Sequence, residues 1–278
     1  NISESKDWCS YWEINKEDKP APVDYRNDKE FWYNLPANFD IIIAAYNHYL
    51  WTGDETMIKD SVFLEFYEKS LNEYVDRWDL GLDKISTRSR FMNMVAQVDS
   101  NDYFHMCRGI PGYDEGQRGK MIMGLDQLVI MAAAYNVGAS IMELNNDNAQ
   151  SKKYADKYQE IKQYIDTQWW NEDQKSFATF LLDDGNFKYG ENKSILFYHL
   201  SGNGEKIELT LNDLKDKVKT LNIESASHLP EVFYNYGAHD LAYEALLYLS
   251  DEQTKRREYP EVSYAVMGSI ANGMFGIE

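Results

Sequence analysis

One segment of this 278-residue chain, from about Lys120 to Glu143, is apolar on almost every side when it is placed on a helix. A surface helix keeps one polar face, so a helix that is apolar all round predicts burial inside a larger group of helices. The segment that follows, from about Ser151 to Trp170, carries many charges and predicts an amphipathic outer helix. This pairing of an inner with an outer helix constrains the fold more than any other feature.

The same alternation recurs along the chain. An apolar stripe that begins at Pro36 ends near Gly53, and a second helical pattern runs from about Thr56 to Trp78, which together predict a helical hairpin. Further helices are predicted at 194–200, 212–221, 230–236, 239–249 and 260–275, and a short β excursion at 170–184. Inner and outer helices in alternation predict an all-α fold, a layered toroid over residues 35–278, preceded by an irregular, aromatic-rich arm at 1–34.

Charge and composition exclude several classes of function. The formal net charge of −18 argues against nucleic acid, because phosphate binding needs clustered Lys and Arg. No membrane span is expected. The chain carries 7 Trp and 21 Tyr, many beside Asn, Asp or Glu, and such rings suit sugars, although a large helical core also consumes aromatic residues. The two cysteines, Cys9 and Cys107, are compatible with one disulfide or two thiols.

Polar clusters stand at the predicted starts of the inner helices. Proline suits the first turn of a helix, and a carboxylate there is favoured by the positive end of the helix dipole. Connections into the inner helices of a toroid lie on one face, so we expect these starts to converge around a central cavity. They are Tyr33-Asn34-Leu35-Pro36-Ala37-Asn38, Tyr113-Asp114-Glu115-Gly116, Tyr189-Gly190-Glu191-Asn192, Leu229-Pro230-Glu231 and Tyr259-Pro260-Glu261.

Paired carboxylates across such a cavity are the minimum for glycoside hydrolysis, in which one protonates the leaving oxygen and the other activates water or attacks the sugar. Glu115 stands beside Asp114, whose like charge would favour a general acid, so we predict Glu115 as the acid. Glu261 is predicted as the general base and Glu231 as the alternate base.

Other residues are predicted to bind the substrate. Stacking surfaces are expected from Trp12, Trp32, Tyr33, Tyr113 and Tyr259, and hydroxyl contacts from Asn38 and Arg108. Asp114 is also predicted to bind the substrate. No zinc-ligand spacing, P-loop, nucleophile elbow or dinucleotide fingerprint occurs in the sequence, so we expect no metal and no cofactor.

Four motifs give the chain a resemblance to a known family. They are Leu50-Trp51-Thr52-Gly53-Asp54, Trp169-Trp170-Asn171 leading to Phe177, Leu229-Pro230-Glu231-Val232-Phe233-Tyr234 and Tyr259-Pro260-Glu261-Val262-Ser263. With these motifs the chain resembles the six-hairpin glycosidases, the (α/α)6 barrel enzymes, and among them the bacterial α-L-rhamnosidase-like proteins. The resemblance implies hydrolysis of a terminal sugar by two acidic residues, commonly with inversion.

The sequence departs from the family in two ways. Four to five hairpins are recognised where six are expected, and the Asp-x-x-x-Arg-Glu type of acid motif is absent. We therefore expect the C-terminal part of a longer protein, secreted or periplasmic, acting on an oligo- or polysaccharide of plant or host origin. Two alternatives stay open: a polysaccharide lyase using His105, Arg108 and Tyr113, and a non-catalytic glycan-binding toroid.

Overall fold

The computed structural model describes residues 8–10, 16–17, 33–88, 109–112, 121–190 and 204–277, with the backbone alone for Tyr33, Asn34 and Ile110. This part of the chain is mostly helical, as predicted, and it also contains short strands. The chain divides into two compact units. Unit 1 comprises Asn1–Trp169 and Ala178–Lys188, and unit 2 comprises Trp170–Phe177 and Tyr189–Glu278. A single closed toroid over 35–278, with an irregular arm at 1–34, stays a prediction.

The helices of the described residues follow in chain order. They are α1 (Ala37–Thr52), α2 (Thr56–Lys59), α3 (Ser61–Leu71), α4 (Glu73–Arg77), α5 (Leu125–Leu144), α6 (Asn148–Tyr164), α7 (Gly204–Lys215), α8 (Ile223–Ser227), α9 (Leu229–Asn235), α10 (His239–Ser250) and α11 (Pro260–Gly268). Turns of π-helix follow α6 at Ile165–Trp169 and α11 at Ser269–Met274. The strands are β1 (Tyr33–Asn34), β2 (Gly109–Ile110), β3 (Met121–Gly124), β4 (Trp170–Asn171), β5 (Ser176–Leu182) and β6 (Phe187–Tyr189).

The predicted first hairpin is confirmed, with a correction to its second arm. Gly53 ends α1 with a φ of 70°, a left-handed conformation that glycine adopts without strain, and its N–H donates to the Tyr49 carbonyl at 2.8 Å. The predicted single helix from Thr56 to Trp78 is three helices. It breaks at Asp60, whose side chain accepts the Val62 N–H, and again at Asn72. Hydrophobic periodicity continues across both breaks and therefore did not reveal them.

Helix α5 is the buried helix that the sequence predicts, but it begins later than expected. Residues Met121–Gly124 form β3, which pairs antiparallel with β5 through Met121↔Leu182 and Gly124↔Phe180. An apolar run of this length is equally compatible with strand and helix. Over its 20 residues α5 is apolar enough to cross a membrane, contrary to our expectation of no such run. Because 78% of the relevant window is buried, it is the core helix of unit 1.

Aromatic side chains fill much of the core of unit 1 beside α5. Tyr67, Tyr74, Trp78, Tyr154 and Trp169 are fully buried. The hydroxyl groups of two of them donate to backbone carbonyls, from Tyr67 to Met57 at 2.7 Å and from Tyr74 to Leu35 at 2.9 Å. A buried tyrosine needs such a partner for its hydroxyl. A share of the high aromatic content thus serves packing rather than a sugar-binding surface.

Unit 2 confirms the two helix starts that carry proline. Pro230 lies in the first turn of α9, and Pro260 is the first residue of α11. The predicted β excursion is confirmed as well, since β4 pairs with the start of β5 through Trp170↔Phe177 and Asn171↔Ser176. The Lys206 ammonium lies 5.2 Å from the centre of the Trp170 ring, which attaches α7 to this hairpin by a cation–π contact. The predicted helix at 194–200 lies outside the described residues.

Asn38 has a structural role, which corrects its prediction as a hydroxyl contact. Its side chain is fully buried in unit 1. The amide oxygen accepts the Ser10 N–H at 2.9 Å, and the amide nitrogen donates to the Trp8 carbonyl at 2.9 Å and to Ser70 Oγ at 3.1 Å. These bonds hold residues 8–10 against α1 and α3. The polar side chain at this helix start therefore faces the protein interior and not a ligand.

We predict that Asn38→Ala lowers the free energy of unfolding by about 2 to 4 kcal/mol, because it leaves buried backbone groups of Trp8 and Ser10 without partners. The control is Asn47→Ala on the exposed side of the same helix, where a change within about 0.5 kcal/mol is expected. Urea unfolding measures both values. Equal effects of the two substitutions would contradict the structural role.

Candidate active site

Two carboxylates meet at the helix starts of unit 1. Asp40 lies in the first turn of α1, and Asp126 lies in the first turn of α5. Both side chains are half-buried, and the charge of Asp126 acts on Asp40. Because these first-turn residues interact and α1 packs against α5, the two helices begin at the same end of unit 1.

The environment of Asp40 favours its neutral, protonated form. Burial raises the pKa of the Asp40 carboxyl, and the negative charge of Asp126 raises it further, from the ordinary 3.8 to about 7. Removal from water and a like charge both penalise the ionised form. The N-terminal end of a helix favours an anion, so burial and repulsion outweigh the dipole here. Between about pH 4 and pH 7, Asp40 consequently holds a proton that a free aspartate has lost.

Asp126 is placed differently from Asp40. Its Oδ1 accepts the backbone N–H of Gln127 at 3.0 Å in the first turn of α5. A hydrogen bond from an N–H to a carboxylate, together with the adjacent helix N-terminus, stabilises negative charge. A proton held on Asp40 beside the charge of Asp126 is compatible with the pattern found where one carboxyl acts as an acid and its neighbour stays charged.

Short strands tie the segments that lead to this end of unit 1. Strands β1 and β2 pair in parallel, with Tyr33 opposite Gly109 and Asn34 opposite Ile110, just before the start of α1. The N–H of Gly124, the last residue of β3, donates to the Pro111 carbonyl at 2.7 Å. The approach to α1 is therefore attached to the 109–112 segment, and that segment is attached to the approach to α5.

Glu115, the predicted acid, lies outside the described residues, as do Tyr113, Asp114 and Arg108. The described residues on either side of this part of the chain are Gly112 and Met121. A Cβ placed on Gly112 would lie 2.8 Å from Asp126 Oδ1 and 3.2 Å from Met121 Cε. Gly112, the last described residue before Glu115, therefore lies next to Asp126.

Gln127 follows Asp126 and is fully buried. Neither its amide nitrogen nor its amide oxygen has a hydrogen-bond partner among the described residues. A buried polar atom without a partner costs roughly 1 to 3 kcal/mol, and such groups in native proteins are often found at functional sites or beside bound water. Unit 1 therefore retains an unfavourable polar group directly beside the carboxylate pair.

The predicted bases belong to unit 2. Glu231 is half-buried in the first turn of α9, and Glu261 is exposed in the first turn of α11. Both helix starts are confirmed, whereas their convergence on one cavity with the other starts stays a prediction.

Tyr259, a predicted stacking residue, is engaged within unit 2. The Arg256 guanidinium lies 4.3 Å from the centre of its ring and donates to its hydroxyl at 2.6 Å. Arg256 also contacts Glu224 at 3.2 Å. One face of Tyr259 is thus covered by this cation, which leaves at most the other face for a sugar. Of the further predicted stacking residues, Trp12 and Trp32 lie outside the described residues, and Tyr33 is described by its backbone alone.

Asp40 and Asp126 were not among the predicted site residues. Asp40 lies within about one turn of Pro36, so the proline signal for a helix start includes it. The predicted polar cluster at this helix start ends at Asn38. Asp126 was missed because the inner helix was expected to begin at about Lys120, which placed this aspartate inside the helix. Strand β3 moves the helix start to Leu125 and brings Asp126 into the first turn.

Comparisons with known proteins bear on the fold. No family model and no curated protein matches the sequence. The structure is similar to the crystal structure of a GH78 family rhamnosidase of Bacillus sp. GL1, with a TM-score of 0.57 and 10% sequence identity. The match covers 87% of this chain and 26% of that chain, so the present chain spans about a quarter of the length of that protein. The likeness indicates a glycosidase-like helical fold, and closure of the ring stays a prediction.

Replacing Asp40 should change how stability depends on pH. Its pKa is raised in the folded state, so between about pH 4 and pH 7 the folded chain keeps a proton that the unfolded chain loses. The free energy of unfolding of the wild type therefore falls between about pH 4 and pH 7, and Asp40→Asn lacks this pH-dependent loss. The unfolding free energy of the variant relative to wild type should rise by about 4 kcal/mol from pH 4 to pH 8.

Urea unfolding at a series of pH values measures this difference. Asp173→Asn removes a carboxylate on an exposed turn and serves as the control, with a difference from wild type that stays within about 0.5 kcal/mol throughout. A difference for Asp40→Asn that does not change with pH would show that Asp40 is ionised like an ordinary surface aspartate.

Replacing Gln127 tests whether its buried amide lacks hydrogen-bond partners in the native protein. Gln127→Met keeps the volume of the side chain and removes two unpartnered polar atoms, so the unfolding free energy should stay equal or increase by up to about 3 kcal/mol. Gln163→Met, on the exposed side of α6, is the control and should change stability by less than about 0.5 kcal/mol. A loss of more than 1 kcal/mol in the Gln127 variant, roughly one hydrogen bond, would mean that the amide is satisfied in the native protein.

Proposed function

We propose that this chain is part of a glycoside hydrolase in which Asp40 donates the proton and Asp126 is the ionised partner. The observation that supports the proposal is the pKa of Asp40, raised to about 7 by burial and by the charge of Asp126 at the paired helix starts. A general acid must hold its proton at the working pH and release it in the transition state, and a pKa near neutrality satisfies both needs.

The chemistry then divides between the two carboxyl groups. Asp40 protonates the glycosidic oxygen as the bond to the sugar breaks, and Asp126 activates a water molecule on the opposite face of the ring, with inversion. Inverting enzymes hold their carboxyl groups about 6.5 to 9.5 Å apart to leave room for this water, and retaining enzymes about 5 to 5.5 Å apart. Product stereochemistry measured by NMR decides between the two modes.

The sequence-based carboxylates remain part of the proposal. Glu115 belongs to the segment that follows Gly112, and Gly112 lies beside Asp126. It is the first alternative to Asp126 as base and to Asp40 as acid. Glu261 and Glu231 are the alternatives from unit 2.

Fold likeness adds support for the class of reaction and suggests the first substrate to test. The neighbour of similar fold is a rhamnosidase, and the sequence motifs resemble the same family. We therefore propose a terminal α-L-rhamnoside as the first substrate, followed by other neutral glycosides of plant or host oligosaccharides.

The test compares variants on two kinds of substrate. An aryl rhamnoside with a good leaving group needs little protonation, whereas a natural disaccharide needs a proton on the departing oxygen. Asp40→Asn should lower kcat/KM on the disaccharide by about 10²- to 10⁴-fold and on the activated aryl glycoside by much less. Asp173→Asn, on an exposed turn, should leave both values unchanged.

Several outcomes would contradict the proposal. Equal losses on both substrates would exclude Asp40 as the acid, and full activity in Asp40→Asn with loss in Glu115→Gln would move that role to Glu115. An absorbance rise from an unsaturated product would indicate a lyase. Saturable binding of the glycan without turnover by the wild-type chain would indicate a non-catalytic binder.

A further inference from the structure

Two glycines from different segments face one oxygen of Asp126. A Cβ placed on Gly112 would lie 2.8 Å from Asp126 Oδ1, and a Cβ placed on Gly124 would overlap the same atom. The Gly124 Cβ would also stand 3.0 Å from the Pro111 carbonyl oxygen. Contacts below about 3 Å are tighter than carbon atoms accept, so neither position has room for a side chain while the carboxylate stays in place.

The segments that carry these glycines are fixed to each other. The Gly124 N–H donates to Pro111 at 2.7 Å, which sets the distance between the 109–112 segment and the end of β3. The 109–112 segment is in turn paired with β1 through Gly109 and Ile110. Oδ1 is thus enclosed by two backbone segments and accepts the Gln127 N–H at 3.0 Å.

We propose that Gly112 and Gly124 are positioning residues that hold the Asp126 carboxylate beside Asp40. The inference rests on the proposed function only in treating Asp126 as a reacting group, because the placement itself is a property of the folded chain. Gly124 has an ordinary extended conformation, whereas Gly112 has a φ of 159°, which residues with a side chain rarely adopt, so replacing Gly112 also strains the backbone. What each supplies is the absence of a Cβ next to Oδ1.

The placement has a consequence that can be measured on Asp40. Asp126 is the charged residue that acts on Asp40 in the described structure, in addition to burial. A Cβ at either glycine must move the short Asp126 side chain, since the backbone on both sides is tied by hydrogen bonds. Displacement of this charge weakens the repulsion that keeps Asp40 protonated. The overlap is more severe at Gly124 than at Gly112, so the effect should be graded.

The experiment follows the Asp40 carboxyl by NMR. The 278-residue chain is labelled with ¹³C at the aspartate carboxyl carbon, and the Asp40 signal is assigned by its loss in Asp40→Asn. Its titration midpoint should fall by about 0.5 to 1 pH unit in Gly124→Ala and by less in Gly112→Ala. Gly204→Ala has no atom within 4 Å of the added Cβ and should leave the midpoint unchanged.

A double-mutant cycle separates positioning from a general effect on the fold. In an Asp126→Asn background the glycine substitutions should no longer move the Asp40 midpoint, because the displaced charge is gone. A midpoint unchanged in both glycine variants, or a shift that persists in the Asp126→Asn background, would overturn the inference. If Gly124→Ala does not fold, the Asp40 midpoint in Gly112→Ala decides the question. Activity is not used, so absence of hydrolysis in the wild-type chain would reject the proposed function while the positioning result stands.

Discussion

Burial of most of α5 is the constraint on which unit 1 depends. The helix is apolar on all sides, and its favourable placement is between α1, α3 and α6, where the apolar surface is removed from water. Packing against α1 brings the first turns of the two helices together. As a consequence of this packing, the charge of Asp126 acts on Asp40.

Unit 1 keeps polar groups at this end that burial disfavours. Asp40 is held protonated, and the Gln127 amide is buried without a partner among the described residues. Natural sequences generally satisfy buried polar groups, and the exceptions concentrate at sites where function requires them. Asp40 lies in the first turn of α1, and Gln127 follows Asp126 in the first turn of α5. These two unfavourable groups are the reason for proposing the site at this end of unit 1.

The sequence reveals those features that depend on local rules. Gly53 marks a helix end because it adopts a left-handed φ, and Pro230 and Pro260 mark helix starts because proline fits a first turn. The break at Asn72 and the extended conformation of Met121–Gly124 escaped prediction, because their residues fit the helical pattern and only pairing with β5 makes the latter a strand.

The candidate site also combines features that local sequence rules predict with features that only tertiary packing decides. That carboxylates would gather at helix starts could be predicted from the helix dipole, but which starts meet is decided by tertiary packing. Asn38 illustrates the opposite case, since this polar residue of a predicted cluster is fully buried and bonds to Trp8, Ser10 and Ser70. Burial, which separates these cases, is not visible in a single sequence.

The pH dependence of kcat/KM tests the central claim most directly, because it reports the essential acid of the free enzyme. With a natural glycoside, the account predicts that activity falls above about pH 7 as Asp40 loses its proton. In any variant of Asp126 that keeps measurable activity, such as Asp126→Asn, this limb should move to lower pH, since the repelling charge is removed. A limb that stays in the same place in that variant, or activity that does not fall above neutrality, would contradict the account.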